Sequence, residues 1–418
     1  MEANRCLYCF DAPCTHACPT HIDIPAFIKK IATGNLTGSA RTILDANILG
    51  ATCARVCPVQ ELCEGACVLG SEHKPIAIGR LQRYATDYVA ERGVDVFRSG
   101  TPNGRKVAVI GAGPAGLSCA AYLARQGYAV TIFEKRELGG GLSTYGIIVL
   151  REPVETALAE VEMVRRLGVR IETGVELGAN LSWEDVRKDF DAVFLSVGLG
   201  RTPSLGIPGE EFVVDGLFYI EQSKLDISRL PAGREVLVIG AGNTAVDCAT
   251  IARRTGASRV TMVYRRTENE MSAYPHEYDF IKREGVEFRF LVRPVRIVAG
   301  DGRVRGLECV RVESASAAAM GGKASKPVPA DVEGSEFVLP ADLIVKAIGQ
   351  NRPGLASRLG LVTDGGFIRV SAELETSLSG VFAGGDCVRA RGSASTVMAV
   401  QDGKTAATAI HRRLSTHG

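Results

Sequence analysis

The sequence predicts an α/β protein in which a cysteine-rich helical domain precedes two domains built on parallel sheets. Eight of the twelve cysteines lie within the first 67 residues. Later in the chain, KVAVIGAGPAGLSCAAYLARQG begins at Lys106 and EVLVIGAGNTAVDCATIARRTG begins at Glu235. Each segment consists of an apolar strand, a glycine turn and an alanine-rich helix, which together open a βαβ unit of a parallel sheet. These internal repeats predict two Rossmann-like nucleotide-binding domains.

The first 91 residues are predicted to form the helical domain. Apolar residues recur at helical spacing over residues 25–31, 39–47 and 76–91, so the cysteines are expected on short loops between helices. The polar residues 92–104, which include glycine and proline, are predicted to form a linker. A length of 418 residues leaves room for two further domains.

Composition excludes two classes of partner. The formal net charge is only +2, and no stripe of lysine and arginine is interleaved with aromatic residues, so nucleic-acid binding is not expected. The longest apolar run, residues 107–124, is interrupted by glycines and a proline, which argues against a membrane span. The opening residues MEANRCLYCF lack an apolar signal region, so we expect a cytoplasmic protein.

The clustered cysteines predict a metal site, because a reducing cytosol disfavours disulfides. Four lie in CLYCFDAPCTHACP and four in CARVCPVQELCEGAC, enough thiols for two 4Fe-4S clusters. A cysteine followed by proline ligates the other cluster in bacterial ferredoxins, and Cys18-Pro19 and Cys57-Pro58 repeat that feature, so crossed ligation is expected. The alternative is a pair of four-cysteine zinc sites, but only Cys6 and Cys9 have the spacing of a zinc knuckle.

The first glycine motif predicts an FAD site. Gly111, Gly113 and Gly116 follow a strand and open a helix, and Glu134 ends the next strand. Glycines allow close approach of a pyrophosphate to the helix N-terminus, and the carboxylate accepts hydrogen bonds from a ribose. The run Gly139-Gly140-Gly141 suits the second phosphate of FAD. Near the C-terminus, a strand ends in Gly385-Asp386, where the acidic side chain suits a ribityl hydroxyl group.

The second glycine motif predicts a nicotinamide-nucleotide site. Gly240, Gly242 and Ala245 repeat the pattern, but the next strand ends in Arg265 and Arg266. An arginine pair holds a 2′-phosphate and cannot accept from a ribose hydroxyl group, so NADPH is preferred and NADH remains possible. The alternative is that both arginines are merely solvated.

Over almost its whole length the chain resembles the iron-sulfur FAD/NAD(P)H module shared by the small subunit of NADPH-dependent glutamate synthase and by dihydropyrimidine dehydrogenase. The runs RCLYCFDAPCTHACPTHIDIPAFI, NILGATCARVCPVQELCEGAC and PIAIGRLQRYATDY resemble the electron-input subunit of bacterial dihydropyrimidine dehydrogenase. The resemblance implies that one cluster binds to Cys6, Cys9, Cys14 and Cys67, and the other to Cys18, Cys57, Cys63 and Gln82. Cys53 is then left without iron, although it could compete with Gln82.

Motifs and resemblance together give the predicted cofactor contacts. Those to FAD are Gly111, Gly113, Pro114, Ala115, Gly116, Glu134, Gly141, Leu142, Arg151, Gly385, Asp386 and Thr396. Those to the nicotinamide nucleotide are Gly240, Gly242, Asn243, Thr244, Arg265 and Arg266. The chain departs from the family at YGIIVLREP, where the family has a proline before the stretch that contains Arg151.

We predict a helical iron-sulfur domain at residues 1–91, a linker at 92–104, an FAD domain at 105–217 and 336–418, and an NAD(P)H domain at 218–335. Hydride transfer from NADPH to FAD requires no side-chain acid, base or nucleophile, so no catalytic residue is assigned. The resemblance implies a partner subunit with FMN and iron-sulfur clusters that reduces uracil or thymine to the 5,6-dihydropyrimidine. Alternatives are the glutamate synthase small subunit, a ferredoxin-NADP transhydrogenase subunit, and a non-catalytic redox sensor or scaffold.

Overall fold

In the computed structural model, which describes residues 1–313, 329–389 and 395–415, the chain divides into two units. The first comprises Met1–Thr144, Leu150–Gly200 and Arg352–Gly418, and the second comprises Tyr145–Val149 and Arg201–Asn351. The cysteine-rich segment and the first glycine motif therefore share one unit, and the second glycine motif belongs to the other.

Short helices build the N-terminal part of the first unit. They are α1 (Pro13–Ala17), α2 (Ile24–Ala32), α3 (Leu36–Ala46), α4 (Gly50–Val56) and α5 (Ile78–Glu91), with 3-10 turns at Glu2–Arg5 and Val68–Ser71. The side chains of Asp23 and Asn35 cap α2 and α3 by accepting from the backbone N–H groups of Ala26 and Gly38. The apolar faces of α2, α3 and α5 meet in one core, as their helical spacing predicts.

Two cysteines lie on helices where the sequence predicted loops. Cys14 lies on α1, which begins at Pro13, and Cys53 lies on α4. Neither helix exceeds two turns, which is too short to give a periodic apolar pattern in the sequence. A proline at the first helical position costs nothing, because its missing N–H would have no partner within the helix.

The first glycine motif opens the sheet of the first unit. The elements after the linker are β1 (Lys106–Ile110), α6 (Pro114–Arg125), β2 (Ala129–Glu134), α7 (Leu142–Tyr145), α8 (Val154–Arg166), β3 (Arg170–Thr173), α9 (Trp183–Asp189) and β4 (Ala192–Leu195). Strand β1 pairs in parallel with both β2 and β4. Because both neighbours flank β1, the glycine turn after it lies at a switch point of the sheet, where nucleotides bind in such folds.

The second unit contains a parallel sheet and an antiparallel one. Its elements are β5 (Val214–Asp215), α10 (Gly216–Leu225), β6 (Glu235–Ile239), α11 (Asn243–Arg254), β7 (Arg259–Tyr264), α12 (Pro275–Arg283), β8 (Glu287–Phe290), β9 (Val292–Gly300), β10 (Arg303–Glu313), β11 (Ala330–Asp331), β12 (Phe337–Pro340) and β13 (Leu343–Lys346). The parallel strands run in the order β5-β13-β6-β7-β8, and β9, β11 and β12 pair with β10 in antiparallel fashion. Three 3-10 turns complete the unit: Glu210–Phe212, Ile227–Arg229 and Glu268–Glu270.

The chain then returns to the first unit. It adds α13 (Leu355–Arg358), the antiparallel pair β14 (Thr363–Asp364) and β15 (Phe367–Ile368), β16 (Val381–Ala383), a 3-10 turn at Gly385–Val388 and α14 (Thr396–Ser415). Strand β16 pairs in parallel with β4, so the sheet order is β16-β4-β1-β2-β3. Its central strands are buried over most of their length, as a sheet covered on both faces requires.

The α/β class with two Rossmann-type sheets is confirmed, whereas the second sheet extends beyond its predicted limits. Strand β5 precedes residue 218 and β13 follows residue 335, and both belong to the sheet of the second unit. Ile148, from the unusual YGIIVLREP stretch, is also buried in the core of that unit. A strand of two to four residues carries no mark of the sheet it joins, so the sequence alone did not assign these segments to the second sheet. The division of the first unit into two domains stays a prediction.

Two further expectations concern particular segments. The sequence between Ser314 and Ser325 is rich in glycine, serine and alanine and interrupts strand-like runs, a pattern that predicts a hairpin; this segment lies outside the described residues. Within the part of the chain that is described, no helix combines the length and the apolar character that crossing a membrane would require.

Candidate functional site

The first set of thiols surrounds a cavity. Cys6, Cys9, Cys14 and Cys67 line it together with apolar side chains of α2 and of the segment before α5. Burial raises the pKa of Cys14 to about 11 and also raises the pKa of Cys6. These four residues are the ligand set that the family resemblance implied, although they come from segments about 50 residues apart in sequence.

A second set of thiols lies deeper in the same part of the unit. A hydrogen bond with Cys53, together with burial and the charges of Cys63 and Cys18, raises the pKa of Cys57 well above its usual value. Burial and the neighbouring Cys18 raise the pKa of Cys63 to about 12. The structure thus brings Cys18, Cys57 and Cys63 together, and it places Cys53 beside them.

Gln82 is buried on α5 near this second set. Its Nε2 donates to the carbonyl oxygen of Gly50 at 2.8 Å. Gly50 is the first residue of α4, the helix that carries Cys53. Cys53 lies on α4 and Gln82 is hydrogen-bonded to α4, so either residue is a candidate fourth ligand of the second set. The choice between them as the fourth ligand stays a prediction in favour of Gln82.

The chemistry of both sets fits iron-sulfur clusters. Within residues 1–313, 329–389 and 395–415, no three histidine, cysteine or carboxylate side chains converge on the position of a single metal ion. A four-iron cluster is larger than one ion, so its four thiolates surround a volume and do not meet at a point. Buried thiols of raised pKa lose their protons when they bind iron, and the positive metal stabilises the thiolates.

Two glycine loops cross at the edge of the first sheet. Gly141 has a φ of +58°, and a Cβ atom there would lie 2.9 Å from the Cα atom of Gly113. The backbone N–H of Gly140 donates to the carbonyl oxygen of Ala112 at 2.7 Å. Any side chain at Gly141 would push the loops apart, so the crossing leaves bare backbone at the N-terminus of α6. Such a cradle fits the pyrophosphate of FAD.

Acidic side chains flank the crossing. Glu134 is buried at the end of β2, where its carboxylate accepts from the backbone N–H groups of Ala112 at 2.8 Å and Arg136 at 2.9 Å. Asp386 follows β16 in the turn that begins at Gly385. Burial and the neighbouring Asp402 raise the pKa of Asp386. Both predicted carboxylates thus lie at the same edge of the sheet as the glycine loops.

Two residues that support this edge were not predicted. The Ser196 hydroxyl group, after β4, donates to the carbonyl oxygens of Ile110 at 3.0 Å and Gly111 at 2.9 Å. Asp402, on α14, accepts from the backbone N–H of Gly385 at 2.8 Å and pairs with Arg389. A single polar residue in an apolar stretch gives no signal of so distant a partner.

Three other predicted FAD contacts lie close to these loops in the chain. Leu142 opens α7 directly after Gly141, and Thr396 opens α14. Arg151 lies between α7 and α8. Their contact with FAD stays a prediction.

The second unit presents a comparable loop. Gly240 has a φ of +133°, and a Cβ atom there would lie 2.2 Å from the carbonyl oxygen of Ala347, after β13. Asn243 and Thr244 begin α11. Among the described residues, the Oδ1 atom of Asn243 is buried and has no hydrogen-bond partner. An orphaned buried acceptor is uncommon and fits a ligand that donates a hydrogen bond.

The predicted arginine pair follows β7 in the same unit. Arg265 is exposed, and Arg266 is partly buried with its Nε atom 4.0 Å from Glu270. The Nε–H of Arg266 is buried and finds no hydrogen-bond acceptor in the described part of the chain. A phosphate oxygen would satisfy this donor, so the pair fits the 2′-phosphate of NADPH.

Helices α8 and α14 are hydrogen-bonded to the cysteine-rich part of the first unit. The Glu160 carboxylate, on α8, accepts from the backbone N–H of Ala51 at 2.7 Å and of Thr52 at 3.2 Å, at the N-terminus of α4. Burial, with the charge of Glu152 nearby, raises the pKa of Glu160 to about 8. Lys404, on α14, donates to the carbonyl oxygens of Thr20 at 2.9 Å and Ala46 at 3.0 Å. Sequence analysis identified neither residue.

Two family descriptions match the sequence. Residues 1–94 match dihydropyrimidine dehydrogenase domain II, 4Fe-4S cluster, and residues 105–403 match pyridine nucleotide-disulphide oxidoreductase. The boundary between the two matches falls in the predicted linker. The suspected family and its cofactor types are thereby confirmed.

Three curated relatives are similar over nearly the whole chain. The glutamate synthase (NADPH) small chain of Escherichia coli K12 is 36% identical, with 98% of this chain and 90% of the relative covered. The NAD-dependent dihydropyrimidine dehydrogenase subunit PreT of Escherichia coli O157:H7 is 36% identical over 99% of this chain and 93% of the relative. The NADP(+)-dependent formate dehydrogenase subunit beta of Moorella thermoacetica is also 36% identical over 96% of this chain, but the chain spans only 60% of that relative.

Solved structures show the fold. Mycobacterium tuberculosis FprA in complex with NADPH has a TM-score of 0.61 and 18% sequence identity, covering 75% of this chain and 85% of its own.

Proposed function

The chain belongs to the pyridine nucleotide-disulphide oxidoreductase family, and its N-terminal part matches a 4Fe-4S domain, so the two matches together imply FAD, NADPH and 4Fe-4S as cofactor types. We propose that the chain is the electron-input subunit of a larger enzyme. It takes a hydride from NADPH onto FAD and passes electrons one at a time through two 4Fe-4S clusters to a partner subunit. The partner reduces uracil or thymine to the 5,6-dihydropyrimidine.

The observation that carries this proposal is the location of both thiol sets in the unit that holds the crossed glycine loops. The first set lines a cavity near the N-terminus, and the second lies next to the helix that Glu160 caps. Two separate sets of sulfur ligands support two clusters, and their common unit with the flavin-type fold supports electron flow from FAD to iron.

The chain's own residues bind and orient, while bound FAD supplies the chemistry of accepting a hydride and releasing its electrons singly. The crossed loops at Gly113 and Gly141 offer backbone N–H groups to a pyrophosphate. Glu134 and Asp386 offer acceptors to hydroxyl groups of the ribose and the ribityl chain. In the second unit, Asn243 and Arg266 hold the nucleotide through atoms that have no hydrogen bond within the described part of the chain. No acid or base is needed.

Exposed apolar side chains next to the first thiol set support a partner at this end of the unit. Leu7 and Phe10 flank Cys9, and Val68 follows Cys67; all three side chains are exposed to solvent. A subunit that accepts electrons from the first cluster would cover them. The chemical identity of the final substrate rests on the resemblance to the pyrimidine enzyme.

A glutamate synthase role is the second candidate. The small chain of that enzyme is as similar to this protein as the dihydropyrimidine dehydrogenase subunit, at 36% identity for each. Gln82 favours the pyrimidine enzyme, because glutamate synthase small subunits tend to carry an acidic residue at that position. The two candidates share the electron-input chemistry and differ in the partner.

Iron content tests the two-cluster proposal directly. Two 4Fe-4S clusters require about eight iron atoms per chain. Replacing Cys14 by Ser should remove about half of the iron through the first set, and replacing Cys63 by Ser should remove the other half through the second. Cys309, buried in the second unit, gives a matched control whose replacement by Ala should leave the iron in place. About four iron atoms in the unaltered, fully reconstituted chain would contradict two clusters.

The fourth ligand of the second set can be assigned in the same way. If Gln82 binds iron, Gln82→Leu should lose the electron paramagnetic resonance signal of the second cluster, whereas Cys53→Ala should retain it. The reverse pattern would assign Cys53. Both side chains are buried, so the iron content and the thermal stability of each variant are measured alongside the signal.

A further inference from the structure

We propose that Lys404 raises the reduction potential of the second cluster, by holding a positive charge beside the Cys18 segment from the helix that also supports the flavin loop. The inference rests on the proposed function, since it requires that the second thiol set binds a cluster. Lys404 is a positioning residue in this proposal, because it acts on the cluster through its charge and not through direct ligation.

The hydrogen bonds of Lys404 fix its ammonium group at the cysteine-rich part of the first unit. Its Nζ donates to the carbonyl oxygens of Thr20 and Ala46 at 2.9 and 3.0 Å. Thr20 is fully buried two residues after Cys18, and its hydroxyl oxygen lies 3.3 Å from the Cys18 Sγ atom. The ammonium group is therefore hydrogen-bonded to Thr20, whose side chain contacts Cys18, a predicted ligand of the second cluster.

The charge of Lys404 is not cancelled by an ion pair. Both of its hydrogen-bond acceptors in the described part of the chain are neutral carbonyl oxygens, and no carboxylate there forms a salt bridge with it. Asp45 interacts with it electrostatically, but the Asp45 carboxylate is itself bonded to Arg125 at 2.5 Å. A partly buried cation that forms no direct ion pair projects its field into its surroundings more strongly than a solvated one.

The sign of the effect follows from charge balance. When the second cluster is reduced, one electron arrives from the reduced flavin and the cluster gains one negative charge. A nearby positive charge stabilises that added charge, as an opposite charge stabilises any ionised group. Lys404 thus favours the reduced cluster and raises its potential.

The same stretch of α14 also supports the turn that contains Gly385 and Asp386, two predicted FAD contacts. Asp402 accepts from the backbone N–H of Gly385, next to the predicted ribityl contact Asp386. Gly403 packs so closely on α6 that a Cβ atom would lie 2.2 Å from the carbonyl oxygen of Ala115. Lys404 follows directly on the chain. One turn of α14 therefore contacts the turn at Gly385 through Asp402 and the cysteine-rich part through Lys404.

A purely structural tether is the alternative. Glu160 and the contacts of Arg125 and Tyr122 with Asp45 also join these two parts of the unit, so loss of one lysine should not separate them. A tether predicts unchanged cluster potentials as long as the cluster is present. A charge that tunes the cluster predicts a shift in every neutral variant and none in a charged one.

The experiment is a redox titration of the reconstituted full chain, with each cluster followed by electron paramagnetic resonance. At the solution potential that half-reduces the second cluster of the unaltered chain, Lys404→Gln and Lys404→Met should have a reduced-to-oxidised ratio about tenfold lower. A tenfold change corresponds to about 59 mV for one electron. Lys404→Arg should stay within about twofold. Lys30→Gln is the matched control, because Lys30 is part-buried and donates to Thr42 on α3.

Each outcome decides between the alternatives. Full iron content with an unchanged potential in either neutral variant overturns the inference. Loss of the second cluster from Lys404→Gln, Lys404→Met and Lys404→Arg alike assigns the lysine a structural role and also overturns it. If the unaltered chain shows no second cluster signal, the two-cluster function itself fails, and this result is distinct because it appears before any variant is made.

Discussion

Buried polar atoms without partners are the most informative single residues in the second unit. Asn243 Oδ1 and Arg266 Nε both lack hydrogen bonds in the described part of the chain, and both belong to residues that the sequence predicted as nucleotide contacts. Leaving such a group unsatisfied costs about 1–3 kcal/mol, and a bound nucleotide that pairs with both atoms would remove this cost.

Replacing both Arg265 and Arg266 by Gln should raise the KM for NADPH by about 10- to 100-fold, with little change in kcat. The reason is that charge-assisted hydrogen bonds to a phosphate contribute about 1.5–3 kcal/mol, and the 2′-phosphate takes no part in hydride transfer. Steady-state reduction of an artificial acceptor measures both constants.

The KM for NADH serves as an internal control in that experiment and should change little, because NADH has no 2′-phosphate. Arg259→Gln is the control variant. This exposed arginine begins β7, at the end of the strand opposite to Arg265 and Arg266, and it pairs with Glu287. An unchanged KM for NADPH in the double variant would show that the arginines are only solvated.

Glu160 should make the stability of the chain depend on pH. Burial raises the pKa of Glu160 to about 8 in the folded protein, whereas the usual carboxyl value, close to 4.5, applies to the unfolded chain. Between these values the folded state binds more protons, so the free energy of unfolding falls as the pH rises through this window. Each pH unit accounts for about 1.4 kcal/mol at most.

Thermal unfolding of the anaerobic protein at pH 5.5, 7 and 8.5 measures this effect. Glu160→Gln should flatten the decline, while Glu162→Gln should leave it intact, because Glu162 lies on the same helix but is exposed and pairs with Arg165. Parallel curves for Glu160→Gln and the unaltered chain would exclude Glu160 as the titrating group.

The sequence predicts the thiol sets and the nucleotide contacts because their spacing is local, and the contacts themselves stay predictions. The partners of Glu160 at Ala51 and Thr52, and of Lys404 at Thr20 and Ala46, are more than 100 residues away in sequence. A lone charged residue on an amphipathic helix usually faces solvent, so neither residue could be distinguished from a surface charge. Only tertiary packing brings these pairs together.

At the scale of elements, the crossing of the two glycine loops is the feature on which FAD binding depends. Replacing Gly141 by Ala should lower the flavin content of the purified chain severalfold or more. The new Cβ atom would meet the Gly113 Cα atom at 2.9 Å, and the φ of +58° is unfavourable for alanine. Flavin absorbance relative to protein gives the measurement.

Gly354→Ala is the matched control for the loop variant. Gly354 precedes α13 with a φ of −67°, and a Cβ atom there would meet no heavy atom within 4 Å. Flavin content should be preserved in this variant. Full flavin content in Gly141→Ala would mean that the crossing is not the pyrophosphate cradle.

Elements with strong periodicity or a glycine signature were predictable, and short or ambiguous ones were not. Helices α2, α3 and α5 and the two strand-turn-helix repeats match their predicted positions closely. Helices α1 and α4 are too short to reveal themselves. Strands β5 and β13 are short and carry no sign of which parallel sheet they join, so the predicted limits of 218 and 335 left both outside the second sheet.

At the scale of the whole molecule, the family and the cofactor types could be predicted because two motif sets and their order are specific. Overall similarity does not identify the partner, since the glutamate synthase small chain and the dihydropyrimidine dehydrogenase subunit are each 36% identical to this chain. The electron-input chemistry is common to both proposed functions, and the preference for the pyrimidine enzyme rests on Gln82.

We propose that electrons from NADPH pass through this chain to a pyrimidine-reducing partner. An anaerobic titration of the reconstituted chain with NADPH, and separately with NADH, tests it when flavin and cluster absorbance are followed before and after addition of an FMN-containing pyrimidine-reducing subunit with uracil. We expect the flavin to bleach with NADPH, and uracil to be reduced only when the partner subunit is present. Bleaching without uracil turnover would redirect the partner to glutamate synthase or ferredoxin, and no bleaching by either nucleotide would contradict the electron-input function itself.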